Sequence, residues 1–192
     1  MSTAAIILAG GRSSRLGTAK PDVLLGARSL LQRTLQAVHP RPAVVVGPSR
    51  LAQTMGPARG VTVVREHPPF GGPAAAIAAA IAELDRRRVP AARVLLLACD
   101  LVHPGPAAAA LLSEPPGDVG LVLRDGAGQI QWLCSLYPSS LLRAAAGAAR
   151  AGMSVAALLD ALPRRELPVD SDLVTDIDTP GDLLAAREGI GS

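Results

Sequence analysis

Aromatic residues are nearly missing from this 192-residue chain: Phe70, Trp132 and Tyr137 are its single Phe, Trp and Tyr, 2% of the composition. With hydrophobic residues at 49%, the core has to be filled by Ala, Leu and Val, side chains small enough for helices to pack closely on a sheet. Cysteine is just as scarce. Cys99 and Cys134 each sit in an apolar stretch, which speaks against a disulfide framework and fits a reducing interior. No window approaches ~18 uninterrupted apolar residues, and no basic segment followed by an apolar one opens the chain, so the expectation is no membrane partner and a cytoplasmic location. A dense basic run is also lacking. The formal net charge of +3 comes from scattered residues, which argues against nucleic acid and for an anionic small molecule as partner.

What is present is alternation. A chain of this length suits one domain, taken as 1–192, with a full core of its own. Short apolar runs at 4–8, 43–47, 61–64 and 94–98 read as strands buried on both faces. Ala/Leu-rich stretches at 29–38, 73–88 and 106–112 read as the helices between them. At 119–137 the pattern changes to two strands joined by a turn around Asp125-Gly126, giving a mixed sheet. Helices at 139–151 and 153–162, a weak strand near 166–169 and a last helix from about 180 complete the chain. Thr179-Pro180 is a good helix start, because the hydroxyl can cap and Pro fits the first helical position. The fold class expected is α/β with a mostly parallel mixed sheet.

The stretch LAGGRSSRLGTAK, residues 8–20, follows the first strand directly. Glycines at a strand's carboxyl end let a ligand approach bare backbone N–H groups, and this edge is where open α/β sheets bind ligands. The spacing is neither GxGxxG nor GxxxxGK[ST]. What stands is Gly10, Gly11, Ser13, Arg15, Gly17 and Lys20, with Arg15 a planar fork of donors and Lys20 a mobile point charge, a pairing suited to polyphosphate. The run at 94–98 ends in Cys99-Asp100; on its own, that Asp is either a helix cap or a ligand-binding carboxylate.

LAGGRSSRLGTAK resembles the signature of the MobA-like nucleotidyltransferase family. The resemblance runs from about residue 4 to 187 and implies a three-layer α/β/α Rossmann-like fold, Mg²⁺-dependent nucleotidyl transfer and release of pyrophosphate. It further implies nucleotide contacts at Leu8, Ala9, Gly10, Gly11 and Ser13, phosphate contact at Lys20, and Asp100 as the Mg²⁺ ligand, with Arg15, Lys20 and Asp100 as the catalytic set. One Asp suffices for Mg²⁺, which keeps several waters and takes oxygens from substrate phosphate. Cys99 reads as a buried small side chain, its thiol pKa raised by apolar surroundings.

In the same family a segment with an acidic nucleotide contact leads into a Gly-Pro helix start. Here Gly72-Pro73 matches that start, Glu66 is within reach, and His67 stands at the better-aligned acidic position. The segment Asp176-Ile177-Asp178-Thr179-Pro180 resembles the family's closing stretch. An extended backbone there puts Asp176 and Asp178 on one face, toward acceptor or metal, with a turn and capping cluster as the structural alternative. Gln131 and Trp132 correspond to the region that faces the acceptor. Lys20 is followed by Pro21-Asp22 where the family usually continues with Ala or Gly and Leu.

By this resemblance the donor is GTP or another NTP and the acceptor is molybdopterin or another phosphorylated molecule, with a molybdoenzyme or its chaperone as recipient. A terminal phosphate monoester, its second pKa near ~6, is already anionic at neutral pH and needs no general base, consistent with a chain without a convincing catalytic His. The alternatives are cytidylyl transfer to the same pterin, transfer to a sugar phosphate, and a non-catalytic nucleotide-binding module.

Overall fold

In the computed structural model, residues 2–10, 16, 18–54 and 60–190 are described. In chain order they form β1 (Thr3–Leu8), a small hairpin of β2 (Leu24–Leu25) and β3 (Arg28–Ser29), α1 (Leu30–Val38), β4 (Ala43–Val46), α2 (Leu51–Thr54) and β5 (Val61–Val64). Then follow α3 (Gly72–Arg86), β6 (Arg93–Ala98), α4 (Pro104–Ser113), β7 (Gly120–Arg124) and β8 (Ile130–Pro138). The chain closes with α5 (Ser139–Ala148), α6 (Val155–Leu159), β9 (Arg164–Pro168) and α7 (Pro180–Ile190).

Seven strands form one sheet in the order β5-β4-β1-β6-β8-β7-β9. The pairings β5–β4, β4–β1, β1–β6 and β7–β9 are parallel, whereas β8 runs antiparallel to both neighbours. Successive side chains of a strand leave opposite faces, and β1 divides accordingly. Ala5 and Ile7 pack with Leu31, Val38, Ala107 and Leu111 from α1 and α4. Ala4, Ile6 and Leu8 pack with Ala74, Ile77 and Ala80 of α3 and with Leu142 and Leu158 of α5 and α6. The result is the expected three-layer α/β/α arrangement, with its apolar runs buried at β1, β4 and β6.

Two expectations are corrected in detail, and one element has no counterpart in the sequence reading. The run at 61–64 is half-buried, because β5 is the sheet's edge strand. The stretch 153–162 is helical only at Val155–Leu159, where the Ser154 hydroxyl accepts from Ala157 N–H. The β2–β3 hairpin went unread, since a two-residue strand carries no periodicity; Gly26, at φ +68°, supplies its turn.

Glycine is obligatory at Gly120, where an added Cβ would lie 2.1 Å from Tyr137 Cε1 on the neighbouring strand. Both cysteines are free and buried. Among the described residues, no helix is long and apolar enough to cross a membrane.

Candidate active site

The carboxyl edge of β1 and β6 is built by backbone pairing that continues past the strands. Ala9 N–H donates to Val46 carbonyl at 2.8 Å, and Cys99 N–H donates to Leu8 carbonyl at 3.1 Å. The chain leaving β1 and the chain leaving β6 are thereby held side by side, Gly10 beside one and Asp100 beside the other.

Lys20 enters from a 3₁₀ turn over Lys20–Asp22. Pro21 is buried within that turn, where a missing N–H does no harm, and Asp22 is tied to Arg50 at 2.5 Å. Pro21 and Asp22 therefore anchor the segment that presents Lys20. The lysine ammonium donates to Asp100 Oδ2 at 2.6 Å and also to Asp178 Oδ1. Partial burial by itself would lower this amine's pKa, but the bonds to Asp100 and Asp178 outweigh it and hold Lys20 well above the ordinary lysine value.

Asp178 arrives from the far end of the sequence. Val102 N–H donates to Thr175 carbonyl at 2.9 Å and Ile177 N–H to Asp100 carbonyl at 3.0 Å, so the stretch lies extended against the segment after β6. Ile177 points into a small core with Val23, Leu25, Leu30 and Val102, which turns Asp176 and Asp178 the other way, as alternation requires. Beyond them Thr179 caps α7: its hydroxyl accepts from Asp182 N–H at 3.2 Å, and Asp182 Oδ2 accepts from Thr179 N–H at 2.7 Å.

Asp100, Asp176 and Asp178 each offer a carboxylate oxygen, and the three atoms lie within 4.8 Å of one another. Hard oxygen donors in this number suit Mg²⁺ or Mn²⁺. Desolvation, together with the charges of Asp100 and Asp178, pushes the Asp176 carboxyl up from its ordinary value. Cys99 lies next to Asp100, but burial drives its thiol far above the usual range, consistent with an inert packing residue.

A cavity of about 410 Å³ opens beside this cluster. Leu8, Gly10, Lys20, Glu66, Gly72 and Asp100 line it, joined by Val46, Phe70, Pro73, Ala76, Ala98, Cys99 and Leu133. Glycine is needed twice at the start of α3: a Cβ on Gly71 would meet Pro68 carbonyl at 2.8 Å, and Gly72 has φ +87°. Leu133 reaches the cavity through a bulge. Strand pairing with β7 jumps from Val122↔Ser135 to Leu123↔Gln131, so residues 132–134 have no partner on β7, while Cys134 still pairs with Leu97 of β6.

Ala9, His67, Gln131 and Trp132 do not line the cavity. Ala9 faces the opposite core. His67 is exposed. Glu66 Oε1 accepts from Phe70 N–H at 2.9 Å. Gln131 Nε2 donates to Asp125 Oδ2 at 2.9 Å in the β7–β8 turn, and Trp132 carries the Arg164 guanidinium over its ring at 4.7 Å. Gly11, Ser13 and Arg15 lie outside the described residues. Phe70 and Leu133 escaped sequence reasoning; the signal for Phe70 was its rarity beside Gly71-Gly72-Pro73, while nothing foretold the bulge that aims Leu133.

A family profile described as the MobA-like NTP transferase domain matches residues 5–167. The molybdenum cofactor guanylyltransferase of Rhizobium meliloti (strain 1021) is 33% identical over 139 residues, which is 71% of this chain and 64% of that protein. This chain thus matches a little under two thirds of the relative's length. Molybdopterin-guanine dinucleotide biosynthesis protein A from Archaeoglobus fulgidus shares the fold at a TM-score of 0.71 and 22% identity, covering 97% of this chain and 98% of that one. So does Rv0371c of Mycobacterium tuberculosis H37Rv in complex with manganese, at 0.70 and 19%, covering 98% and 99%.

Proposed function

The chain belongs to the MobA-like NTP transferase family, and from that premise we propose that it transfers GMP from GTP to molybdopterin, releasing pyrophosphate. The observation that carries this reading is the meeting of one ammonium and three carboxylates beside a largely apolar cavity at the carboxyl edge of the sheet. The apolar lining suits a nucleoside, and the charged side suits its phosphates.

In this reading the backbone around Leu8 and Gly10 and the start of α3 at Gly72 hold the nucleoside. Lys20 leaves its carboxylates for the phosphates and stabilises the charge that builds on the departing pyrophosphate; Arg15, five positions earlier in the sequence, assists. The acceptor's phosphate oxygen attacks the α-phosphorus in line, the bond to the β-phosphate oxygen breaks, and no side chain has to remove a proton, because the attacking oxygen is already anionic. Asp100, with Asp176 and Asp178 beside it, would hold Mg²⁺, which when bound supplies charge neutralisation at the reacting phosphate. By the resemblance alone Gln131 and Trp132 are assigned to the acceptor, and a molybdoenzyme or its chaperone would receive the product.

The test is pyrophosphate release from GTP and from CTP with Mg²⁺, with and without molybdopterin. Acceptor-dependent release from GTP is expected. Release from CTP alone would reassign the donor, and nucleotide binding without release from either would make the chain a non-catalytic module.

A further inference from the structure

Phe70 is the one aromatic side chain that the core does not use. Tyr137 is fully buried and Trp132 packs partly buried against the core, whereas Phe70 is 62% exposed. Its backbone sits at φ +63°, in the left-handed region that a residue with a bulky side chain enters only at an energetic cost. Two hydrogen bonds impose that conformation: Phe70 N–H to Glu66 Oε1 at 2.9 Å, and Gly71 N–H to Pro68 carbonyl at 2.9 Å. Arg65 lies over the ring, its Cζ 5.3 Å from the centroid, and the ring borders the cavity. Backbone strain that surrounding contacts over-determine is concentrated at ligand clamps.

We infer that the Phe70 ring is the stacking platform for the donor's nucleobase and biases the site toward purine nucleotides, an assignment that rests on the NTP transferase reading of the cavity. The apolar lining around it comes from Leu8, Val46, Pro73 and Ala76, aliphatic groups that present no π face. A flat base entering that space has the Phe70 ring as its aromatic surface, and Arg65 fixes the plane of that ring. Stacking tolerates any base, but its strength grows with overlap, so a bicyclic purine gains more than a pyrimidine. Glu66, matched by resemblance to a nucleotide contact, acts here as a positioning residue: its carboxylate holds the ring's backbone.

The experiment is calorimetric titration of GTP, ATP, CTP and UTP, with Mg²⁺ and no acceptor, into wild type, Phe70→Ala, Phe70→Tyr and Phe70→Gly. Phe70→Ala should weaken GTP and ATP binding about tenfold, and CTP and UTP less; Phe70→Tyr should restore it. Phe70→Gly, which relaxes the left-handed strain, should raise the melting temperature while losing purine affinity. Purine affinity unchanged in Phe70→Ala, or an equal loss for all four nucleotides together with a lower melting temperature, overturns the inference while leaving the transferase reading intact. A wild type that binds none of the four nucleotides overturns both.

Discussion

Removing the Lys20 side chain offers the sharpest test of the charged cluster. The contact with Asp100 joins side chains only 22% and 16% exposed, and a charge-assisted hydrogen bond in such a setting is worth about 1.5–3 kcal/mol. The contact with Asp178, whose side chain is 53% exposed, adds at most about 1 kcal/mol. After allowance for the desolvation of the ammonium, Lys20→Ala in metal-free buffer should lose about 2 kcal/mol, a fall of about 4–8 °C in a chain of this size. The same two contacts must be given up when a divalent cation takes the carboxylates. Their removal should therefore tighten Mn²⁺ binding by up to about 30-fold, at about 1.4 kcal/mol per tenfold. Thermal melts in EDTA and in MnCl₂, with paramagnetic resonance of free Mn²⁺ for the affinity, read both effects. A Lys20→Ala protein that melts with wild type in EDTA and binds Mn²⁺ no more tightly would refute the reasoning. Turnover in the same variant should fall on the order of 10²-fold or more.

Asp176→Asn should raise the metal-free melting temperature at neutral pH. Folding raises this carboxyl's pKa from 3.8, so the native state binds more protons than the unfolded state above that value and stability declines as pH rises through the folded pKa; the gap between variant and wild type should close below about pH 4, as melts across pH would reveal. Asp100→Asn should abolish metal-dependent pyrophosphate release while leaving the circular dichroism spectrum intact. Gly120→Ala should destabilise by about 1–3 kcal/mol or more, through overpacking against Tyr137, measured by urea unfolding. Burial pushes the Cys134 thiol up to about 12 and Cys99 higher still, so neither should react with a thiol reagent at pH 8 until the protein is denatured.

The strands were legible wherever burial was two-sided. Val44, Leu96 and Ile6 sit in uninterrupted apolar runs because both faces of their strands are covered, and such runs announce themselves. The site was legible where chemistry is compressed into adjacent residues, as at Gly10 and at Cys99-Asp100. That Asp178 reaches Lys20 across 158 positions was beyond any local pattern; the alternation around Ile177 gave the shared face of Asp176 and Asp178 but not its destination. The side chains of Gln131 and Glu66 were decided by neighbours, the Asp125 carboxylate in one case and the Phe70 N–H in the other, that only the folded chain supplies.

The bridge from Lys20 to Asp178 also sets when in the protein's life the site is complete. Synthesis runs from the N-terminus at about 5–20 residues per second, so Lys20 and Asp100 are both made seconds before the segment that carries Asp178. Until then the nascent chain holds the glycine loop and the first carboxylate but not the acidic group around them. Any binding that needs all three carboxylates is therefore deferred until the polypeptide beyond β9 has emerged and laid itself along the strand-end of β6. Premature termination within that stretch would leave the sequence of all seven sheet strands intact and the centre unbuilt.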